Sequence, residues 1–276
     1  PYLFSHTPLT FDDGWTQYFP DFARGFELWT PYMGAGYPVF SNPDNSNFYV
    51  IKCLFMALPG ADSIVAYNLY LFVAFVGCAL FAYLWSLRLS GSRSISVLTA
   101  MFFVWSAPIF TRWEFSTHIH GLMWLPGILW CLELLGSQDL RRRGLILLSV
   151  FIANLFLAGH PQTAVYSVLV VVVYFALSIG RLWAHPREVL WPAMAIAVGV
   201  MLAGVQIVPS LADRRDYARD MTFKDGEPIE NQLYLSDYRL LLDPDPAIAE
   251  PRETVVDGRS ISLPGRDFAE IVPFVG

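Results

Sequence analysis

The run from 64 to 209 constrains the fold most, because six apolar stretches follow one another there with only short loops between them. They cover 64–87, 95–110, 121–135, 144–158, 163–183 and 189–209. A membrane-crossing helix needs about 20 predominantly apolar residues, and these stretches approach or reach that length. Of 24 acidic residues only Glu114, Glu133, Asp139 and Glu188 fall inside the run. The whole chain is 55% hydrophobic and 15% charged, where a soluble domain carries about 25% charged residues. This composition predicts an all-α fold, a polytopic transmembrane helix bundle. In the last stretch the small residues Ala195, Gly199, Ala203 and Gly204 are expected to allow close helix packing.

The arginines set an orientation. Segment 88–94 carries Arg88 and Arg93, 137–143 carries Arg141, Arg142 and Arg143, and 181–188 carries Arg181 and Arg187. Of the alternate loops, 111–119 carries only Arg112 and 159–161 has no Lys or Arg. The positive-inside rule then puts the arginine loops in the cytoplasm. Residues 1–63, 111–120, 159–162 and 210–276 share the outer side of a plasma (inner) membrane. Asp12, Asp13, His118, His120, His160, Gln162 and Gln206 converge on that face.

The flanks differ from the middle. Residues 1–63 are polar and aromatic, with a short apolar patch at 50–58 that fits an interfacial or re-entrant helix. Trp15, Tyr18, Trp29, Tyr32, Tyr37 and Tyr49 suit a headgroup-level belt. Residues 210–276 hold fourteen acidic residues and are expected to form an outer loop or small subdomain. The chain has no recognisable signal peptide at Pro1, and 270–276 resembles the entry to another span, so it reads as a piece of a longer protein. The expected organisation has three segments: a first extracytoplasmic loop (1–63), a six-span bundle (64–209) and a second extracytoplasmic segment (210–276).

Cys53, Cys78 and Cys131 give no disulfide framework. No basic patch interleaves with the aromatics, so nucleic acid is not an expected partner. The bilayer is, and the sequence sets no oligomeric state.

The strongest candidate for chemistry is the adjacent pair Asp12 and Asp13, in a loop rich in Gly, Pro and aromatics. A capping role is the plain alternative, since Asp is a favoured N-cap for a helix starting near Gly14. Two adjacent carboxylates are a weak signature for a divalent ion, and neither a metal nor another cofactor is assigned. Arg214 and Arg215 are placed to grip a phosphate bidentately, or else to pair with Asp213, Asp216 and Asp220. Arg24 is a further phosphate candidate, with Asp21 or Glu27 as its plain partner.

His118 and His120 stand two apart and would not share a helix face, so a two-His metal site is not expected there. His160-Pro161-Gln162 forms a turn that would display an imidazole and an amide toward the aspartate loop. Glu133 is assigned a structural role, reaching toward 141–143.

The pattern Asp13-x-x-x-Gln17-Tyr18, then Trp29-x-Pro31-Tyr32-x-Gly34-x-Gly36-x-Pro38, resembles the YfhO-like bacterial membrane proteins. Gly159-His160-Pro161-Gln162 leading to Tyr166, and Gln206-x-x-Pro209, resemble further signatures of that group. The resemblance covers nearly the whole chain. It implies a GT-C-type glycosyltransferase fold that takes a sugar from a polyprenyl-phosphate donor and passes it to a cell-envelope acceptor. It also implies a catalytic carboxylate on the first extracytoplasmic loop, which falls to Asp13 or Asp12. Gln17, Trp29, His160, Gln162, Arg214 and Arg215 are then the expected substrate contacts. The family's first span and later spans have no counterpart here. A transporter or flippase, and a non-catalytic partner in envelope polymer assembly, are the alternatives. Ion coupling is disfavoured because the spans hold almost no ionisable residues.

Overall fold

The computed structural model describes residues 13–31, 36, 38–182, 186–213, 252–256 and 259–263. The chain divides into two compact units, Pro1–Val104 with Trp113–Asp216, and Trp105–Arg112 with Tyr217–Gly276.

The first unit is a helix bundle with a layer of short helices and turns laid over one end. A wide helical turn, Gly14–Tyr18, runs into α1 (Phe19–Ala23), and two tight turns at Val39–Ser41 and Pro43–Asn45 precede α2 (Val50–Met56). The bundle comprises α3 (Ile64–Ser90) and α4 (Arg93–Val104), then α6 (Ser116–Leu134), α7 (Gln138–Leu157), α8 (Pro161–Leu182), α9 (Pro186–Leu202) and α10 (Gly204–Ala212). The second unit contributes a short helix α5 (Ala107–Phe110) and an antiparallel hairpin of β1 (Arg252–Val256) and β2 (Arg259–Leu263).

Each expected apolar stretch contains helix, with corrected limits. The stretch 95–110 stops at Val104 and restarts as α5, with Pro108 in the first turn of the new helix, where a proline's missing N–H is tolerated. The stretch 121–135 begins earlier, at Ser116, so His118 and His120 lie inside a helix and not in a loop. The arginines at 141–143 likewise belong to the first turns of α7. The stretch 189–209 is bent by 62° between Val189–Leu202 and Gly204–Ala212. The described residues are predominantly helical, in keeping with the all-α expectation, with the hairpin in addition to the helices. Asp257-Gly258, between its strands in the sequence, is a pair that two-residue hairpins favour.

Among the described residues α3 is the helix that by itself is long and apolar enough to cross a membrane, with mean hydropathy 2.1, and the bent pair passes the same test jointly. With 27 residues, α3 is roughly 40 Å long at 1.5 Å per residue. Its ends explain its limits. The Ser63 hydroxyl accepts from Ala66 N–H at 3.2 Å, and Gly91, at φ 67°, closes the other end by donating to the Leu87 carbonyl at 2.9 Å. Gly supplies that left-handed conformation without steric cost.

The helix α6 is central, packed by α3, α7 and α8, with Ile119, Met123, Ile128 and Cys131 buried. Missing side chains set the spacing. A Cβ at Gly77 would lie 2.0 Å from Met123 Sδ, and one at Gly199 2.6 Å from the Ser149 carbonyl. The Ser149 hydroxyl reaches the Ala195 carbonyl at 2.9 Å across the same α7–α9 contact. Ala195, Gly199 and Ala203 thus do serve packing. Gly204 does not, since nothing lies within 4 Å of where its Cβ would be. The outer faces of α4, α8, α9 and α10 expose large apolar side chains, among them Phe102, Leu177, Met201 and Leu211.

Candidate functional site

The layer over the bundle end is built by long-range hydrogen bonds to backbone. The Ser46 hydroxyl donates to the Ala158 carbonyl at the end of α7, at 2.6 Å. The Asn47 amide donates to the Glu27 carbonyl at 2.7 Å. Gln206 of α10 donates to the Phe40 carbonyl at 3.0 Å, and Ser210 to the Ser41 carbonyl at 2.7 Å. Aromatic contacts complete the seal, with Tyr18 edge-on to Phe115 and Phe22 against Tyr67 and Tyr70.

One end of the bundle therefore gathers the described groups that the sequence singled out. Asp13 is exposed at the head of the wide turn, and its carboxylate makes no capping bond. Its backbone is already helical, at φ −59° and ψ −32°, whereas a capping side chain needs an extended backbone at that position. Asp12 lies outside the described residues, as do Arg214 and Arg215. Gln17 is half-buried on the same turn. Trp29 is 57% exposed and lies over Gly36, where a Cβ would be 2.8 Å from its ring. Arg24 pairs with Asp21 and, at 3.6 Å, with Glu27, so its plain reading holds.

His160 is held at the start of α8. Its Nδ1 accepts from the Thr163 N–H at 3.2 Å and lies 2.8 Å from the Thr163 hydroxyl, tying it to the first turn of α8. The same hydroxyl is 2.6 Å from His118 Nδ1, and the two imidazoles stand edge to face at 5.2 Å. Since His160 Nδ1 is an acceptor, the consistent assignment has the Thr163 hydroxyl donating to it and His118 Nδ1–H donating to Thr163. Gln162 is exposed and donates to the Tyr166 hydroxyl one turn along its own helix, at 3.0 Å. Glu133 accepts from Tyr174 rather than reaching for the arginines, because Tyr174 on α8 brings a hydroxyl to it inside the bundle.

His118 and His120 part company as expected from their spacing. His120 is fully buried, stacked on Tyr70 at 3.9 Å. Its Nδ1 is 3.0 Å from the Tyr49 hydroxyl, which also accepts from Trp124 Nε1–H at 3.1 Å, while its Nε2 faces the Tyr70 carbonyl at 3.2 Å. Every polar atom of the imidazole is satisfied there, which gives it a structural role.

A small cleft in the layer is lined by Tyr18, Asp21, Asp44, Lys52, Ser116 and Thr117, with aromatic walls from Phe22 and Tyr70. It has room for about one water molecule. Lys52, 3% exposed, donates to the Asn45 carbonyl at 2.5 Å and the Asp21 carbonyl at 3.2 Å. Burial lowers its ammonium to about 8, with the Asp21 carboxylate working against that shift. Burial also raises Asp21, opposed by Arg24 and then Lys52. Tyr18 is held well above the usual phenol range by burial and then by Asp44, with a smaller push from Asp13 and an opposing one from the Thr117 hydroxyl. The phenol thus feels two carboxylates from separate segments.

Sequence reasoning missed Asp44, Lys52 and Thr163. One signal was available, since Lys52 is the lone charge within the apolar patch 50–58. Among the described residues no three His, Cys, Asp or Glu side chains come together in a way that could hold a metal ion. The chain matches no protein-family model, no curated protein and no solved structure.

Proposed function

We propose that this chain is part of an integral membrane glycosyltransferase of GT-C type. It passes a sugar from a polyprenyl-phosphate donor to a cell-envelope acceptor on the extracytoplasmic face. The observation that carries the reading is the placement of Asp13 at the head of the turn that bears Tyr18, with Asp44 lining the cleft beside Tyr18, in a layer over one end of an apolar bundle. The motif resemblance in 13–38 and 159–166 supports it. So does the apolar outer face of α4, α8, α9 and α10, since soluble monomers rarely expose apolar patches that large. In this reading the apolar helices cross the membrane and the arginine-bearing ends face the cytoplasm.

Asp13, exposed and unencumbered by capping, is the base that takes the proton of the acceptor hydroxyl as its oxygen attacks the anomeric carbon. Gln17 and Trp29 flank the acceptor side. Arg214 and Arg215 receive the departing phosphate. His160, tethered to Thr163, and Gln162 are further candidate substrate contacts. A positioned base contributes about 10²–10⁴-fold, and Asn is nearly isosteric with Asp. Radiolabelled sugar transfer in membranes holding the full-length protein should therefore fall by about that factor in Asp13→Asn, with protein level unchanged on a blot. Asp12→Asn should be milder. Full transfer by both variants refutes the assigned base, and absence of transfer by the parent leaves the transporter or assembly-partner alternatives.

A further inference from the structure

The cleft beside Tyr18 has a composition that the proton-transfer role of Asp13 does not use. Its opening has room for about one water molecule, the size of a single hydroxyl oxygen. Its polar lining combines two carboxylates, Asp21 and Asp44, and the Lys52 ammonium with hydroxyls on Tyr18, Ser116 and Thr117 that both donate and accept. Phe22 and Tyr70 give it apolar walls.

The Asp44 carboxylate is rigidly presented. Asp44 N–H donates to Asn42 Oδ1 at 3.1 Å, Lys52 holds the next carbonyl at 2.5 Å, and Ser46 is pinned to Ala158 at 2.6 Å. Ser46 is the non-glycine residue at positive φ, 49°, among the described residues. Backbone strain of this kind persists where the surroundings over-determine it. From the other side, Gly159 comes so close that a Cβ would lie 2.2 Å from the Pro43 carbonyl. The end of α7, the Asn42 side chain and a buried lysine thus fix one half-buried aspartate beside a hydroxyl-sized space.

We infer that this cleft is the subsite for a hydroxyl group of the donor sugar, with Asp44 accepting its hydrogen and Tyr18, Ser116 and Thr117 surrounding its oxygen. The inference rests on the sugar-transfer reading and names the group that recognises the sugar. The alternatives fit the lining less well. A phosphate oxygen would meet two carboxylates to which it has no hydrogen to give, and the one ammonium beside them is already committed to the Asn45 and Asp21 carbonyls. A cation would meet the buried Lys52 ammonium. A hydroxyl donates and accepts, as the lining requires. Asp44 is thus a specificity residue, whereas Asp13 carries the chemistry.

The test uses the full-length protein in nanodiscs and equilibrium binding of undecaprenyl phosphate, bare or carrying tritiated glucose, galactose, mannose or N-acetylglucosamine. A hydrogen bond to a charged group is worth about 10–100-fold in affinity. The parent is expected to bind at least one sugar-bearing lipid about that much more tightly than the bare lipid phosphate. Asp44→Asn should erase the increment and leave the bare lipid's affinity unchanged, and Ser116→Ala should reduce it while sparing the turn. An increment that survives Asp44→Asn overturns the inference, as does a parent that prefers no sugar. Sugar-dependent binding lost in Asp44→Asn, without transfer by the parent, upholds the subsite and refutes the enzyme. Transfer lost in Asp13→Asn with the increment intact in Asp44→Asn upholds the enzyme and refutes the subsite.

Discussion

Ser46 and Ala158, 112 positions apart in the chain, are joined by a 2.6 Å hydrogen bond from the Ser46 hydroxyl to the carbonyl that ends α7. A helix leaves its last four carbonyls without intrahelical partners, and here one of them anchors the layer that carries Asp44. Beside it, Gly159 at φ 98° brings backbone against backbone.

That contact makes Gly159 the least replaceable glycine of the turn. Gly159→Ala forces a side chain into the left-handed region, which costs about 1–2 kcal/mol, and drives its Cβ into the Pro43 backbone. Thermal unfolding in detergent should show a loss above about 2 kcal/mol. Gly25→Ala is the control, because Gly25 also has positive φ but nothing within 4 Å of its Cβ position. Equal losses in the two variants would show that the Gly159 contact adds nothing.

Tyr49 sits at the centre of a closed buried network with Trp124 and His120. Tyr49→Phe keeps the ring and strands the Trp124 N–H and His120 Nδ1, at about 1–3 kcal/mol for each buried group left unpaired. Its melting temperature in detergent should fall clearly. Tyr166→Phe, which loses an exposed bond to Gln162, should stay within about 0.5 kcal/mol of the parent, as surface substitutions do. An unchanged melt for Tyr49→Phe would mean that the network carries no net stability.

Lys52 gives the protein a pH signature. Its ammonium is lowered by burial to about 8 in the folded chain, against about 10.4 in the unfolded one. Between those values the unfolded state binds more protons, so stability attributable to this group rises with pH across that window. Below about 8 the full penalty of a buried ammonium applies. Unfolding of the parent and of Lys52→Met, compared from pH 7 to 10, should show a slope in the parent that the variant lacks. Parallel profiles would mean that Lys52 does not titrate in this range.

Orientation is checked with an impermeant thiol reagent on intact cells, after replacement of Cys53, Cys78 and Cys131, which are free thiols. Single cysteines within 88–94, 137–143 and 181–188 should be shielded, while those in 1–63 and 210–276 should label. Labelling of 137–143 from outside would reverse the assignment.

The apolar stretches were legible because each helix buries or exposes long runs of like residues, as α6 and α8 do. Their ends were less legible, since a buried histidine such as His120 can extend a helix without looking apolar. Capping by Asp13 was plausible from residue type, and only its helical backbone angles exclude it. The bonds that assemble the layer run from side chains to backbone carbonyls over great sequence distances, as from Gln206 to Phe40. Residue type is silent about a carbonyl's position, so neither the Asp44 turn nor the cleft beneath it could be found by spacing. Gly159-His160-Pro161-Gln162 was readable as a turn, but Thr163, which tethers both imidazoles, looked like an ordinary helix start.

Lys52 holds a carbonyl from each of the two segments that bear the candidate carboxylates, Asp21 following Asp13 and Asn45 following Asp44. A ligand that drew the two acids together or pushed them apart would have to stretch both bonds from one ammonium. The layer is therefore expected to answer a ligand as a single plate, with the Asp13 and Asp44 segments travelling together or staying put.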